Sequence, residues 1–260
     1  MSLIELQGAI NVRDLGGFVA ADGRSVRPGR LLRGDSLHKL TDADVARLTE
    51  LGVRTVIDFR SPEEIEGAGP DRSPVGAWQV ELPVAGGNLG LTSAALRGVS
   101  SGQQADMGGG RATDLMREIN RHFVSWSEYR AAFSRALHII AAPDSGPTLF
   151  HCSAGKDRTG WMAAIVLTTV GVPRAEVIAD YLATNRYVGA SYEAWLVRAT
   201  EEGIITDPDS IRALLFQDQS YLEAAFDEVE LRYGSFERFL SEGLGFGFDE
   251  RDALCTNLLA

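Results

Sequence analysis

Cysteine is nearly absent from this chain of 260 residues, which has only Cys152 and Cys255. They lie far apart and in segments of different character, so neither a disulfide framework nor a cysteine metal site is supported, and at least one thiol is left for chemistry. Also missing is any apolar run near the roughly 18 residues a membrane span needs. The N-terminus lacks a basic region followed by an apolar stretch. These absences predict no stable membrane insertion and a cytoplasmic location by default, with secretion without a signal peptide as the alternative. Positive charge is the third shortage. Lys and Arg number 25 against 36 Asp and Glu, a formal net charge of -11, and a field of that sign repels nucleic acid and anionic membranes. An anionic substrate therefore needs a local positive site.

What is present suffices for one enzyme-sized core: 45% of residues are hydrophobic and 23% charged, so residues 1–260 are read as a single domain. Asn11 to Leu40 is rich in Arg and Gly without helical periodicity, which predicts loops and a short strand such as Arg30 to Arg33. Thr41-Asp42-Ala43-Asp44 has the form of a helix cap with an acidic third position. Val45, Leu48 and Leu51 follow at helical spacing, and Gly52 supplies a stop. Val53 to Phe59 reads as a buried strand of a parallel sheet. Trp78 to Pro83 gives a further strand, and residues 86–113, dominated by Gly, Ser, Ala and Gln, read as a flexible insertion. From Asp114 to Ala142 apolar side chains recur at helical spacing and predict one long helix or two. Thr148-Leu149-Phe150 is a short strand, and a helix begins at Thr159. Beyond Pro173 only helices are expected, with residues 186–260 as a helical tail. The whole predicts an α/β fold, a mostly parallel sheet flanked by helices.

The chemistry concentrates in His151-Cys152-Ser153-Ala154-Gly155-Lys156-Asp157-Arg158-Thr159-Gly160, between an apolar strand and an apolar helix. A loop leaving a strand and opening a helix turns successive N–H groups inward and adds the positive end of the helix, which together cradle a phosphate dianion. Ser153, Ala154, Gly155 and Lys156 are thus read as substrate-binding, with Gly155 allowing the tight turn. Such surroundings favour the thiolate of Cys152 as a nucleophile. Arg158 can take two phosphate oxygens in a bidentate grip, which lysine cannot reproduce. The expected reaction moves the phosphoryl group to sulfur, releases an alcohol or phenol, and then yields phosphate by hydrolysis. Thr159 is placed to hydrogen-bond the sulfur. For the proton donor two carboxylates stand open: Asp157 inside the loop, and Asp58 at a strand end, which is also a candidate to face the substrate.

These ten residues resemble the protein tyrosine phosphatase superfamily, whose loop reads His-Cys, five residues, Arg, then Ser or Thr. Asn11-Val12-Arg13-Asp14-Leu15-Gly16-Gly17, Arg30-Leu31-Leu32-Arg33, Asp58-Phe59-Arg60-Ser61-Pro62-Glu63-Glu64 and Asp180-Tyr181-Leu182 are similar to a bacterial branch that includes a secreted mycobacterial phosphatase. The resemblance implies the cysteine phosphatase α/β fold, no metal or other cofactor, and a C-terminal helical lid. It also implies a phosphorylated protein or a phosphoinositide as substrate, with phosphate as product. The Trp-Pro-Asp loop of eukaryotic tyrosine phosphatases is absent from this sequence, so the resemblance does not identify the proton donor.

Blander readings compete at several positions. Cys152 as a buried apolar thiol does not account for the Gly, Arg and Thr that accompany it, whereas Cys255, between Leu254 and Leu258, fits a core role. Asp58 could bridge to Arg60 or Arg54. Asn11, Arg13 and Asp14 are read as bracing a sheet edge rather than touching substrate, and His151 as supporting the loop from behind. The leading function is a protein-tyrosine phosphatase, with dual specificity as an extension. The alternatives are a phosphoinositide phosphatase, suggested by Lys156, a non-catalytic phosphate-binding module, and a sulfur transferase.

Overall fold

Leu31-Leu32, Val56-Ile57 and Leu149-Phe150 are consecutive apolar pairs, and in an extended chain consecutive side chains leave on opposite faces. Such pairs can be buried only in strands covered on both sides. In the computed structural model, which describes residues 2–85 and 107–260, this is where they lie. One six-stranded sheet contains β1 (Ser2–Leu3), β2 (Arg13–Asp14), β3 (Leu31–Gly34), β4 (Thr55–Asp58), β5 (Trp78–Glu81) and β6 (Thr148–His151), in the spatial order β1-β2-β3-β6-β4-β5. Strands β3, β6, β4 and β5 are parallel, and β1 and β2 add an antiparallel margin. Leu32, Val56 and Leu149 face one core cluster, and Leu31, Ile57 and Phe150 the other.

The first of these clusters is closed by α1 (Asp42–Glu50), which Thr41 and Asp44 cap reciprocally as the sequence predicts. A second capped helix, α2 (Pro62–Ala68), leaves the carboxyl end of β4. The opposite face carries α3 (Arg111–Ser125), α4 (Ser127–Ala141) and α5 (Asp157–Thr169), joined by α6 (Arg174–Glu201), α7 (Pro208–Leu215), α8 (Gln219–Tyr233), a helical turn at Phe236–Arg238 that continues as a π turn, and α9 (Phe248–Leu258). Phe59, Phe123, Phe133 and Phe150 pack together under α3 and α4. Helix α5 is buried nearly all round, which is why its apolar residues show so little one-sidedness. Gly160 lets it approach α6: a Cβ there would lie 2.7 Å from the Tyr181 ring.

Some predicted boundaries move. Of the expected insertion at 86–113, residues 86–106 lie outside the described residues, and Arg111 to Thr113 already belong to α3. The periodic stretch after Asp114 divides at Trp126, whose extended backbone (ψ 130°) separates α3 from α4. The division at residue 186 falls inside α6, whose 28 residues span about 42 Å at the usual helical rise. The helical tail has two roles. Helix α7 reaches the cysteine loop, whereas α8 and the π turn pack Phe226 and Phe239 against Trp161, and α9 returns Leu258 to hydrogen-bond with Arg27. No described helix is long and apolar enough to cross a membrane.

The register places the site. Gly34, His151, Asp58 and Glu81 stand in one row across the carboxyl ends of the parallel strands, each in register with the next. The segments leaving β3, β4 and β6 therefore converge at one sheet edge, where α/β sheets place their ligand crevices.

Candidate active site

The loop from Cys152 to Arg158 is held from outside by its carbonyl groups. The Ser36 N–H donates to the Ser153 carbonyl (3.1 Å), Asn11 Nδ2 to those of Ala154 (3.1 Å) and Gly155 (3.2 Å), and Arg33 Nη2 again to Gly155 (2.8 Å). In a trans peptide the N–H opposes the C=O. With three carbonyls pinned to the scaffold, the N–H groups of Ala154, Gly155 and Lys156 point to the inner side of the loop. Gly155 sits at φ +67°, and a Cβ there would lie 2.5 Å from the Gly34 carbonyl oxygen, so both backbone angle and space require glycine.

Asn11 and Arg33 are fixed in turn. Arg13 Nη1 donates to Asn11 Oδ1 (2.6 Å), and Asp180 of α6 accepts from Arg13 Nε (3.0 Å) and Arg33 Nη1 (2.5 Å), with all three side chains at most 1% exposed. Burial and the nearby Arg13 charge lower the Arg33 guanidinium to about 10, while Asp180 is held below the usual carboxylate range because the two arginines outweigh its burial. The bracing expected of Asn11 and Arg13 thus acts on the cysteine loop itself. Asp14 is separate: it accepts the N–H groups of Gly16 and Gly29 and closes the loop between β2 and β3.

Cys152 is 2% exposed at the start of the loop. Arg158, on the first turn of α5, projects its guanidinium toward the ends of β4 and β5, where Nη1 donates to the carbonyls of Phe59 (3.1 Å) and Val84 (3.3 Å). A residue the sequence reading passed over completes its setting. Glu64 of α2 takes Nη1 at 2.6 Å and Nη2 at 2.8 Å, and also accepts the Ser153 hydroxyl at 2.5 Å. The same carboxylate closes the capping box of α2 by accepting the Ser61 N–H. Ser61-Pro62-Glu63-Glu64 has the Ser-x-x-Glu spacing of such a box, a signal that could have singled out Glu64.

Burial opposes ionisation of Glu64, but the hydrogen bonds and charge of Arg158 overcome it and hold the carboxyl at about 2, against an ordinary 4.5. A lowered carboxylate contributes stability above its unfolded value and loses it as pH falls through the folded one. Glu64→Gln is therefore expected to cost roughly 2 kcal/mol at neutral pH and to flatten the loss of stability between about pH 4.5 and 2. Denaturant unfolding of both proteins across that range checks it, and parallel pH curves would contradict it.

The side chain of Lys156, read as substrate-binding, is engaged with α7 and Asp157. Its ammonium donates to the Leu214 carbonyl at the end of α7 (2.8 Å) and lies 3.4 Å from Asp157 Oδ2, with the side chain 5% exposed. The last carbonyls of a helix have no partner within it, and Lys156 supplies one, as the Tyr221 hydroxyl does for Ala213. Asp157 is the first residue of α5. Its Oδ1 is buried without a hydrogen-bond partner among the described residues, and so is Oγ1 of Thr159.

Asp58 is elsewhere engaged, and its reading as a substrate-facing residue is corrected. Both of its oxygens accept from Arg60, which also donates to Asp71 (2.8 Å), so Asp58 is the bridge that the alternative reading offered. His151 completes this group beneath the loop. Asp58, Asp71 and His151 bring one ligand atom each within 4.8 Å of one another, a spacing compatible with a divalent ion. The Arg60 guanidinium, bound to both carboxylates, already provides the positive charge there.

A thiol-headed loop between a parallel strand and a buried helix, lined by inward N–H groups and ended by a fixed arginine, is the framework of a phosphatase. The chain belongs to the tyrosine phosphatase family, whose model matches residues 4–260. It is 32% identical over 268 residues to the triple specificity protein phosphatase PtpB of Mycobacterium tuberculosis, covering 93% of this chain and 94% of that one. A protein of Cupriavidus necator assigned as a tyrosine-protein phosphatase is 34% identical over 238 residues, 90% of this chain and 81% of the relative.

Proposed function

We propose that the chain hydrolyses phosphate monoesters of tyrosine side chains in proteins through a phosphocysteine on Cys152. The observation that supports this most directly is the convergence of Cys152, three inward N–H groups and the Glu64-held Arg158 fork on one small loop. The thiolate attacks phosphorus, the S–P bond forms as the P–O bond to the phenol breaks, and the departing oxygen takes a proton. Water then attacks the phosphocysteine, giving phosphate and restoring the thiolate. Charge that builds on the equatorial oxygens meets fixed donors, the loop N–H groups and Arg158, which need not reorganise. Thr159 Oγ1 stabilises the sulfur as it leaves.

Asp157 is the proton donor in this reading. It is in the loop, it has an oxygen without a hydrogen-bond partner among the described residues, and Asp58 is committed to Arg60. Likeness to a phosphatase named for triple specificity supports activity beyond phosphotyrosine. Burial of Lys156 against Leu214 gives no support to a preference for inositol lipids.

Acid quenching during turnover of a labelled aryl phosphate should trap label on Cys152, and an enzyme that turns over with no trapped species would exclude the covalent route. Asp157→Asn should lower kcat on an alkyl phosphate by about 100-fold and on a nitrophenyl phosphate far less, because a poor alkoxide depends more on protonation. Equal small losses on both substrates would remove Asp157 from that role.

A further inference from the structure

The group beneath the loop points to a residue with no part in the mechanism so far. His151 is fully buried, and each of its ring nitrogens faces an oxygen. Nδ1 lies 3.2 Å from the Cys152 carbonyl, and Nε2 lies 2.8 Å from Asp71 Oδ2. A carbonyl can only accept, so Nδ1 carries a hydrogen. Asp71, paired with Arg60, is a carboxylate, and its charge 2.8 Å from Nε2 favours a hydrogen on that nitrogen, although the contact lies off the N–H axis and is an ion pair rather than a formed hydrogen bond. A ring with hydrogens on both nitrogens is an imidazolium.

We propose that Asp71 is a positioning residue for the nucleophile: it holds His151 as a cation directly behind Cys152. Asp71 is fixed for this task. Its Oδ1 accepts from the Leu37 N–H (3.1 Å) and Arg60 Nη2 (2.8 Å), which leaves Oδ2 turned to the ring. The imidazolium then acts in two ways. Its Nδ1–H anchors the Cys152 carbonyl, which directs the following N–H, that of Ser153, the other way. Its charge also favours the thiolate over the thiol.

The other charged groups around the ring are Asp58 and Arg60 at the end of β4, and Asp35 and His38 in the segment after β3. Asp58 Oδ1 is more distant, 3.8 Å from Nδ1, and is shared with Arg60. Asp71 is therefore the main partner of the ring. Burial alone would favour neutral imidazole, yet the contact with Asp71 and the two carboxylate charges raise His151 above the ordinary histidine value.

The inference rests on Cys152 as nucleophile, and its test separates the two. In nitrogen-15 NMR of the unmodified protein, His151 should titrate above about 6.5 with hydrogens on both ring nitrogens. A neutral ring at about pH 6.5 would overturn the proposal without any variant. Asp71→Asn should bring the titration down by at least about one unit. Alkylation of Cys152 by iodoacetamide near pH 6 should slow about tenfold in the same variant. Its kcat near that pH should fall by a similar factor with KM within about twofold, and Asp71→Glu should recover part of the loss. Unchanged alkylation and an unchanged titration in a folded Asp71→Asn would overturn the proposal. Failure to trap phosphocysteine in the unmodified enzyme would instead remove the covalent reading, while the titration and alkylation still decide the role of Asp71.

Discussion

Cys152→Ser is expected to lose at least about 10⁴-fold in kcat on an aryl phosphate while binding inorganic phosphate within about threefold of the unmodified protein. The two halves of this expectation have separate causes. A serine hydroxyl is far from ionised at neutral pH, whereas these surroundings favour a cysteine thiolate, so with serine the bond to phosphorus cannot form at a comparable rate. The anion site persists because its donors are backbone N–H groups and Arg158, held by Asn11, Arg33 and Glu64 rather than by the sulfur. Phenolate release and phosphate calorimetry measure the two terms. Retained hydrolysis would exclude phosphocysteine, and lost phosphate binding would mean that the sulfur shapes the loop.

Arg158→Lys should cost about 10²–10³-fold in kcat/KM. An ammonium keeps the charge but not the planar fork, so it can neither match two phosphate oxygens nor satisfy both oxygens of Glu64. The loss should exceed what charge alone predicts. It should also bring a lower Tm, since Glu64 and the carbonyls of Phe59 and Val84 each lose a donor in a poorly hydrated place. A variant as stable as the parent but inactive would assign Arg158 to catalysis alone. One that is destabilised yet within about threefold of full activity would make the arginine a structural clamp.

The sequence and the structure agree where one contiguous stretch carries the information. The cysteine loop and the Thr41–Asp44 cap are local, and the double-sided strands are written in neighbouring apolar pairs. Glu64 and Asp71 escaped because their importance lies in partners on other elements. A glutamate at the third position of a helix announces a cap, not a grip on an arginine 94 residues later. Asp58 and Lys156 were drawn toward the substrate by where they sit in sequence, a strand end and a phosphate loop. Neither position reveals that Arg60 and the Leu214 carbonyl lie closer to hand. Asn11 and Arg13 were legible as bracing, but the object they brace was not.

The partners that tie the loop carbonyls to Asn11 and Arg33, and Arg33 to Asp180, are separated by 122 to 147 residues, and Arg13 and Asp180 by 167. Contacts that distant in the chain close only after most of the conformational entropy has been lost. The first strands, the cysteine segment and α6 must all be in place before the anion site exists. Recovery of activity during refolding should therefore trail the return of helix content. An early compact state with most helices formed would be catalytically silent.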